Sequence, residues 1–102
     1  RIDWEAMDAP QVVALVKACN PWNSGAWTSL QGQPCRLVEA TPIDFFNQPG
    51  LPGSVHLAGN AGLAVVCKDG QALRIDILRM EEGFFTGPQL RTMGIGPGAS
   101  FT

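Results

Sequence analysis

Charge is scarce in this sequence. Acidic and basic side chains make up 16% of its 102 residues, and the seven basic ones (Arg1, Lys17, Arg36, Lys68, Arg74, Arg79, Arg91) stand singly. A binder of phosphate backbones gathers its lysines and arginines on one face. The formal net charge of −2 gives no such bias, so only a patch assembled by folding stays open. Cysteine is sparse too. Cys19, Cys35 and Cys67 are an odd, unclustered set, which supplies neither a disulfide framework nor metal-ligand spacing. Each sits among apolar residues, so buried free thiols are expected, and with them a reducing cytoplasm. No run approaches the ~20 apolar residues of a membrane span. No charged segment followed by an apolar one opens the chain in the manner of a signal peptide. Histidine occurs once, as His56. It has no neighbouring partner for acid–base work, so a structural role is expected.

What is present reads as one globular domain. The hydrophobic fraction of 45% argues against disorder, and the length leaves no room for a second core. Arg1 is an odd natural first residue, so a piece of a longer chain is expected.

The spacing predicts one helix near the start. Asp8 caps it, Pro10 suits its first turn, and Gln11 stands three after Asp8 as in a capping box. Val12, Leu15, Val16 and Cys19 recur on one face. Asn20-Pro21 is expected to end it, because the residue before proline avoids the helical region. Short strands follow: Ala26 to Leu30, Pro34 to Ala40, Gly53 to Leu57, Gly62 to Lys68 and Ala72 to Arg79. Pro42 to Pro52 reads as a loop that Phe45-Phe46 pin to the body. Asp69-Gly70 signals a hairpin, since both turn positions tolerate positive φ. Leu73, Ile75 and Ile77 alternate with Arg74 and Asp76, which marks a half-buried strand. From Glu81 onward the tail is rich in glycine, with a short helix expected within Pro88 to Met93. These elements predict a mainly β domain with an N-terminal helix, most simply a small OB-like β-barrel, with a sandwich as the alternative.

At this point the sequence resembles a known family. "RIDW" (Arg1 to Trp4), "CNPW…GAW" (Cys19 to Trp27), "PGSV" (Pro52 to Val55), "CKDGQALRI" (Cys67 to Ile75) and the closing "GPQLRTMGIGPGASF" (Gly87 to Phe101) are similar to the C-terminal domain of methionyl-tRNA and sugar-nucleotide formyltransferases. The resemblance implies an OB-like accessory domain with an upstream catalytic domain as partner. That upstream domain would bind formyl-tetrahydrofolate, so no cofactor is expected on this chain. No catalytic or metal-binding residue is expected here either. The acceptor implied is an amino-sugar nucleotide or another amine, or else methionyl-tRNA. A homodimer is compatible with this reading, and membrane association is not expected.

Two departures point away from tRNA. The family's Pro-Trp-Pro-Gly-Ala is replaced here by Pro21-Trp22-Asn23-Ser24-Gly25-Ala26, which lengthens the corner by one. The basic segment that tRNA-formylating relatives carry after the last long strand is replaced by Met80-Glu81-Glu82-Gly83-Phe84-Phe85. Its two carboxylates would repel phosphate; pairing with arginines or with a substrate amine is an alternative, and a solvated strand end is the favoured reading.

Four residues are candidate contacts for substrate or for a neighbouring domain. Trp22 and Trp27 either stack on a ligand, as in a free-standing OB-type module for single-stranded nucleic acid, or clamp the helix onto the sheet. Packing is the favoured reading. Phe84 and Phe85 are either buried as a pair or exposed toward the catalytic domain. Trp4 is read as a packing residue. The Gly94-Ile95-Gly96-Pro97-Gly98 run lacks the lysine and hydroxyl of a phosphate loop.

Overall fold

The structure, a computed structural model, describes residues 1–23, 25–44, 46, 50–59 and 62–102, with the side chains of residues 21–23 outside the described set. Among the described residues, helix α1 (Ala9–Asn23) is followed by strands β1 (Ala26–Leu30), β2 (Gln33–Ile43), β3 (Val55–Ala58), β4 (Gly62–Val66), β5 (Ala72–Met80) and β6 (Gly83–Thr86), then helix α2 (Gly87–Thr92). The chain is therefore mainly β with an N-terminal helix, as expected.

Helix α1 starts where local chemistry dictates. The Gln11 amide donates to the Asp8 carboxylate at 2.9 Å, and the Asp8 amide donates to the Gln11 side-chain oxygen at 2.9 Å. This reciprocal box satisfies donors that the first turn leaves open. Val12 and Val16 are buried, and Leu15 and Cys19 pack against the core. The helix end corrects the sequence reading. It passes Asn20-Pro21 and runs to Asn23. Pro21 forfeits one N–H bond, while Asn20 Nδ2 donates to the Val38 carbonyl at 2.8 Å and ties this turn to β2.

The strands form one antiparallel sheet in the order β1-β2-β5-β4-β3, with β6 also joined to β5. Strand β5 is the hub. One edge pairs with β2; the other pairs with β4 at Ala72–Arg74 and with β6 at Ile77–Met80. Strand β2 extends past the expected end at Ala40, through Pro42 to Ile43. Its pairing with β1 covers Gln33–Leu37, and beyond that only β5 flanks it. A residue without an N–H is tolerated on such a stretch.

Strand β6 was not anticipated. Glu81-Glu82 carries no turn signature, yet it forms the two-residue loop between Met80 and Gly83. Gly83, at φ 141°, makes that return without a Cβ penalty. The β4–β5 hairpin follows the expected chemistry. Asp69 and Gly70 lie at φ 64° and 74°, and the Gln71 amide donates to the Lys68 carbonyl at 3.4 Å. Helix α2 opens on a second capping box. The Thr86 amide donates to Gln89 Oε1 at 2.8 Å and Thr86 Oγ1 accepts from the Gln89 amide at 3.3 Å.

The core lies between α1, the inner sheet face and the two chain ends. Ile2, Val12, Leu37, Leu73, Leu78 and Leu90 are buried in it. Trp4 is buried as well and stacks obliquely on Phe101 at 5.5 Å, as expected of a packing residue.

The expected barrel holds only loosely. Among the described residues, no strand closes the sheet from β1 to β3. Instead the C-terminal segment crosses the gap through isolated bridges, Leu30 with Phe101 and Ser54 with Ser100. The Phe101 amide donates to Gly53 at 2.7 Å, and the Gln31 amide donates to Ser100 at 3.1 Å. The two open edges are thereby partly satisfied, which limits strand-to-strand association with other chains. Among the described residues, no helix is long and apolar enough to cross a membrane.

Candidate functional site

Strand register places four side chains in one line across the outer face of the sheet. Trp27 on β1 stands opposite Arg36 on β2, Arg36 opposite Arg79 on β5, and Arg79 opposite Phe84 on β6. Directly paired residues share a sheet face. The adjacent line, Ala26, Leu37, Leu78 and Phe85, therefore points inward. The first three of these are buried and Phe85 packs partly against the core. The outer line is wet: Trp27 is 45% exposed and Phe84 is 58% exposed.

The line has an internal order of aromatic, cation, cation, aromatic. The Arg36 guanidinium lies over the Trp27 ring at 4.1 Å from its centroid, and that of Arg79 lies over Phe84 at 5.6 Å. Each cation is favoured by the negative ring face beside it. Placing two arginines directly opposite is unfavourable by itself, so the ring contacts offset part of that repulsion. A groove of about 390 Å³ runs alongside and is lined by Trp27, Pro34, Arg36, Arg79 and Glu81, among others. These groups can accept a planar or anionic ligand.

The candidate residues thus part company. Trp27 does not clamp the helix, which corrects the packing expectation, because its strand position points it outward. The backbone of Trp22 lies in the last turn of α1, and its side chain lies outside the described residues. Phe84 and Phe85 alternate, one out and one in, as consecutive strand residues must. Phe45 also lies outside the described residues, while Phe46 meets the His56 ring edge-on at 5.7 Å. Arg36 and Arg79 escaped sequence reasoning because each stands alone in the chain. Their shared register is the only signal, and it appears only on folding.

Nothing described here forms a catalytic constellation. His56 is half-buried, with Nε2 3.3 Å from Ser54 Oγ, and it joins no triad among the described residues. No group of three His, Cys, Asp or Glu able to hold a metal occurs among them. Cys35 and Cys67 are buried free thiols, while Cys19 is half-buried. Loss of solvation pushes the Cys35 thiol up to about 11 and that of Cys67 to about 12, the latter aided by the Asp8 carboxylate. Thiols held protonated in this way are poor nucleophiles. Glu81 and Glu82 are exposed at the β5–β6 turn, as expected of a solvated strand end.

Among the described residues, a helix-capped antiparallel sheet thus carries an outward line of aromatic and basic side chains. The chain's family is shown by similarity. The model of the formyl transferase C-terminal domain family matches residues 1–85, and the chain belongs to that family. Similar proteins include methionyl-tRNA formyltransferases of Anaeromyxobacter dehalogenans strain 2CP-C and of Stenotrophomonas maltophilia strain K279a. The first is 34% identical over 82 residues and the second 36% over 83, covering 79% and 81% of this chain. A third, from Thiobacillus denitrificans, is 36% identical over 70 residues, which is 69% of this chain and 22% of that protein. The chain spans about a quarter of the length of the first two, at 26% each. Strands β1 to β5 lie within the family match. It ends at Phe85, so α2 and the gap-spanning segment lie beyond it.

Proposed function

We propose that this chain serves as the C-terminal accessory domain of a formyltransferase that uses formyl-tetrahydrofolate. The observation that carries the reading is the family match across residues 1–85, in a chain that corresponds to about a quarter of the length of its relatives. The formyl donor binds, and the chemistry occurs, on an upstream catalytic domain, which is this domain's first partner. The domain supports that partner and contributes to holding the acceptor. The free cysteines suit a reducing cytoplasm.

The acceptor favoured here is an amino-sugar nucleotide or a similar amine. The net charge of −2 and the Glu81-Glu82 pair beside the basic line support that choice over an extended polyanion. Methionyl-tRNA is the second reading, and the names of the relatives favour it.

The test is formyl transfer by the full-length protein, with formyl-tetrahydrofolate as donor and two acceptors in parallel. Turnover on a uridine-diphosphate amino sugar, with none on methionyl-tRNA, is the expected result. Turnover on methionyl-tRNA alone overturns the acceptor reading. Absence of formyl transfer to any amine overturns the enzyme class.

A further inference from the structure

We propose that the outer face carrying Trp27, Arg36, Arg79 and Phe84 is the surface on which the upstream catalytic domain packs, through an apolar patch with a carboxylate set against Arg79. The existence of that domain rests on the function proposed for the chain, whereas the choice of face rests on exposure, charge and the path of the backbone.

Trp27 and Phe84 are the large aromatic side chains that the described surface leaves open, and strand register puts both on one face. The guanidinium of Arg36 already lies on one face of the Trp27 ring, which leaves less of that ring for a flat ligand to stack on. Rings set among arginines are instead the composition of contacts between folded bodies, where Trp, Phe and Arg are enriched. Contacts between domains of one chain are also more polar than obligate interfaces.

Charge narrows the chemistry of the partner. Arg79 has no carboxylate partner among the described residues. A body that strips water from this face must bring an anion to it, because a buried unpaired cation is costly. Glu81 lines the groove beside Arg79, and Glu82 follows at the β5–β6 turn. The partner's patch is therefore neutral or basic next to that turn.

A second copy of this chain does not meet these demands. A two-fold axis in the contact plane lays the line on itself either in the same order or reversed. In the same order, each ring and its arginine face their own copies. Reversed, Trp27 with Arg36 meets Phe84 with Arg79. Both arrangements set guanidinium against guanidinium, and the line supplies no carboxylate between them.

The backbone favours a tethered partner. The Ile2 amide donates to the Trp27 carbonyl at 2.8 Å, so the entry segment runs along β1 beside the exposed ring. A domain attached ahead of Arg1 is delivered to this face by its own tether, and the resulting effective concentration lets a small patch suffice.

The test is hydroxyl-radical footprinting of the full-length protein, read by mass spectrometry and normalised to the unfolded protein. Trp27 and Phe84 are expected to be protected to the level of buried Trp4 and Phe101, while exposed Leu51 and Met93 label freely. R79E is expected to raise labelling of both rings by about tenfold, the scale of a lost bond to a charged group. R79Q is expected to raise it less, and stands in where R79E does not fold; low labelling of Trp4 and Phe101 reports folding in both. Rings that label as freely as Leu51 overturn the proposal, as do folded R79E and R79Q with unchanged protection. Protection that grows with protein concentration overturns it in favour of a second copy. Protection that appears only on adding a uridine-diphosphate amino sugar or methionyl-tRNA overturns it in favour of a ligand-binding face. Formyl transfer by the same protein is scored separately. Active transfer with open rings sinks this interface alone, and protected rings without transfer to any amine sink only the enzyme class.

Discussion

The Trp4 indole N–H donates to Thr28 Oγ1 at 2.9 Å, with Trp4 3% and Thr28 0% exposed. The pair joins the N-terminal segment to β1 inside the core. Thr28 Oγ1 in turn donates to the Thr102 carbonyl at 3.3 Å, so one hydroxyl links both chain ends.

Replacing Thr28 with valine keeps the shape and removes the acceptor. The indole N–H is then buried without a partner, which costs about 1–3 kcal/mol. Urea unfolding of T28V is expected to show that loss. In the double variant W4F/T28V the combined loss is expected to fall below the sum of the two singles, because the second change removes the orphaned donor. Strict additivity would falsify the coupling.

Gly53 sits at φ 91°, and a Cβ there would overlap the Phe101 carbonyl oxygen. Gly32 sits at φ 82° with open space around the same position. Both alanine variants incur the backbone penalty of about 1–2 kcal/mol. Only G53A must also push the C-terminal segment off the sheet. G53A is expected to lose at least about 2 kcal/mol more than G32A in parallel thermal melts, and to speed hydrogen exchange at Phe101. Equal losses would show that the gap-spanning segment does not tie the sheet edges.

Alkaline pH is expected to weaken the fold through its buried thiols. In the unfolded chain Cys35 and Cys67 ionise near 9.0, whereas in the folded chain they hold their protons to about 11 and 12. Above pH 9 the unfolded state therefore binds fewer protons than the folded state, and stability falls as pH rises. The slope approaches ~1.4 kcal/mol per pH unit for each thiol and ends near the folded values. Below pH 9 these two groups contribute no slope. Denaturant titrations across pH 7 to 11 read the effect. C35A and C67A are each expected to flatten it, whatever they cost at neutral pH.

Arg79 is expected to matter little for stability. Its substitution by glutamine removes a repulsion with Arg36 and a distant contact with Phe84, two small effects of opposite sign. The melting free energy of R79Q is expected to stay within about 0.5 kcal/mol of the wild type. A loss above about 1 kcal/mol would make the guanidinium a structural strut.

The local devices are legible along the chain. Asp8 with Gln11, and Asp69 with Gly70, act within a few residues of chain, so their chemistry is complete before any long-range contact forms. The alternation around Leu73 and Ile75 likewise marked β5, and the motifs from "CNPW…GAW" to "CKDGQALRI" marked the family. The helix runs past the local stop signal at Asn20-Pro21, where Asn20 reaches the Val38 carbonyl, a contact that no local rule contains. Strand β6 was missed because Glu81-Glu82 carries no turn signature and the strand exists only by pairing with β5. An isolated tryptophan gives no face, and the outward face of Trp27 depends on its partner in β2. The candidate site was the least legible of all. The hairpin pairs 27/36 and 79/84 are far apart in the chain, and a one-residue slip in any of three strand pairings would scatter their members to opposite faces. Tertiary structure alone sets those registers, through the bulge in β2 between Leu37 and Ala40 and the packing of the inward line against α1 and its neighbours.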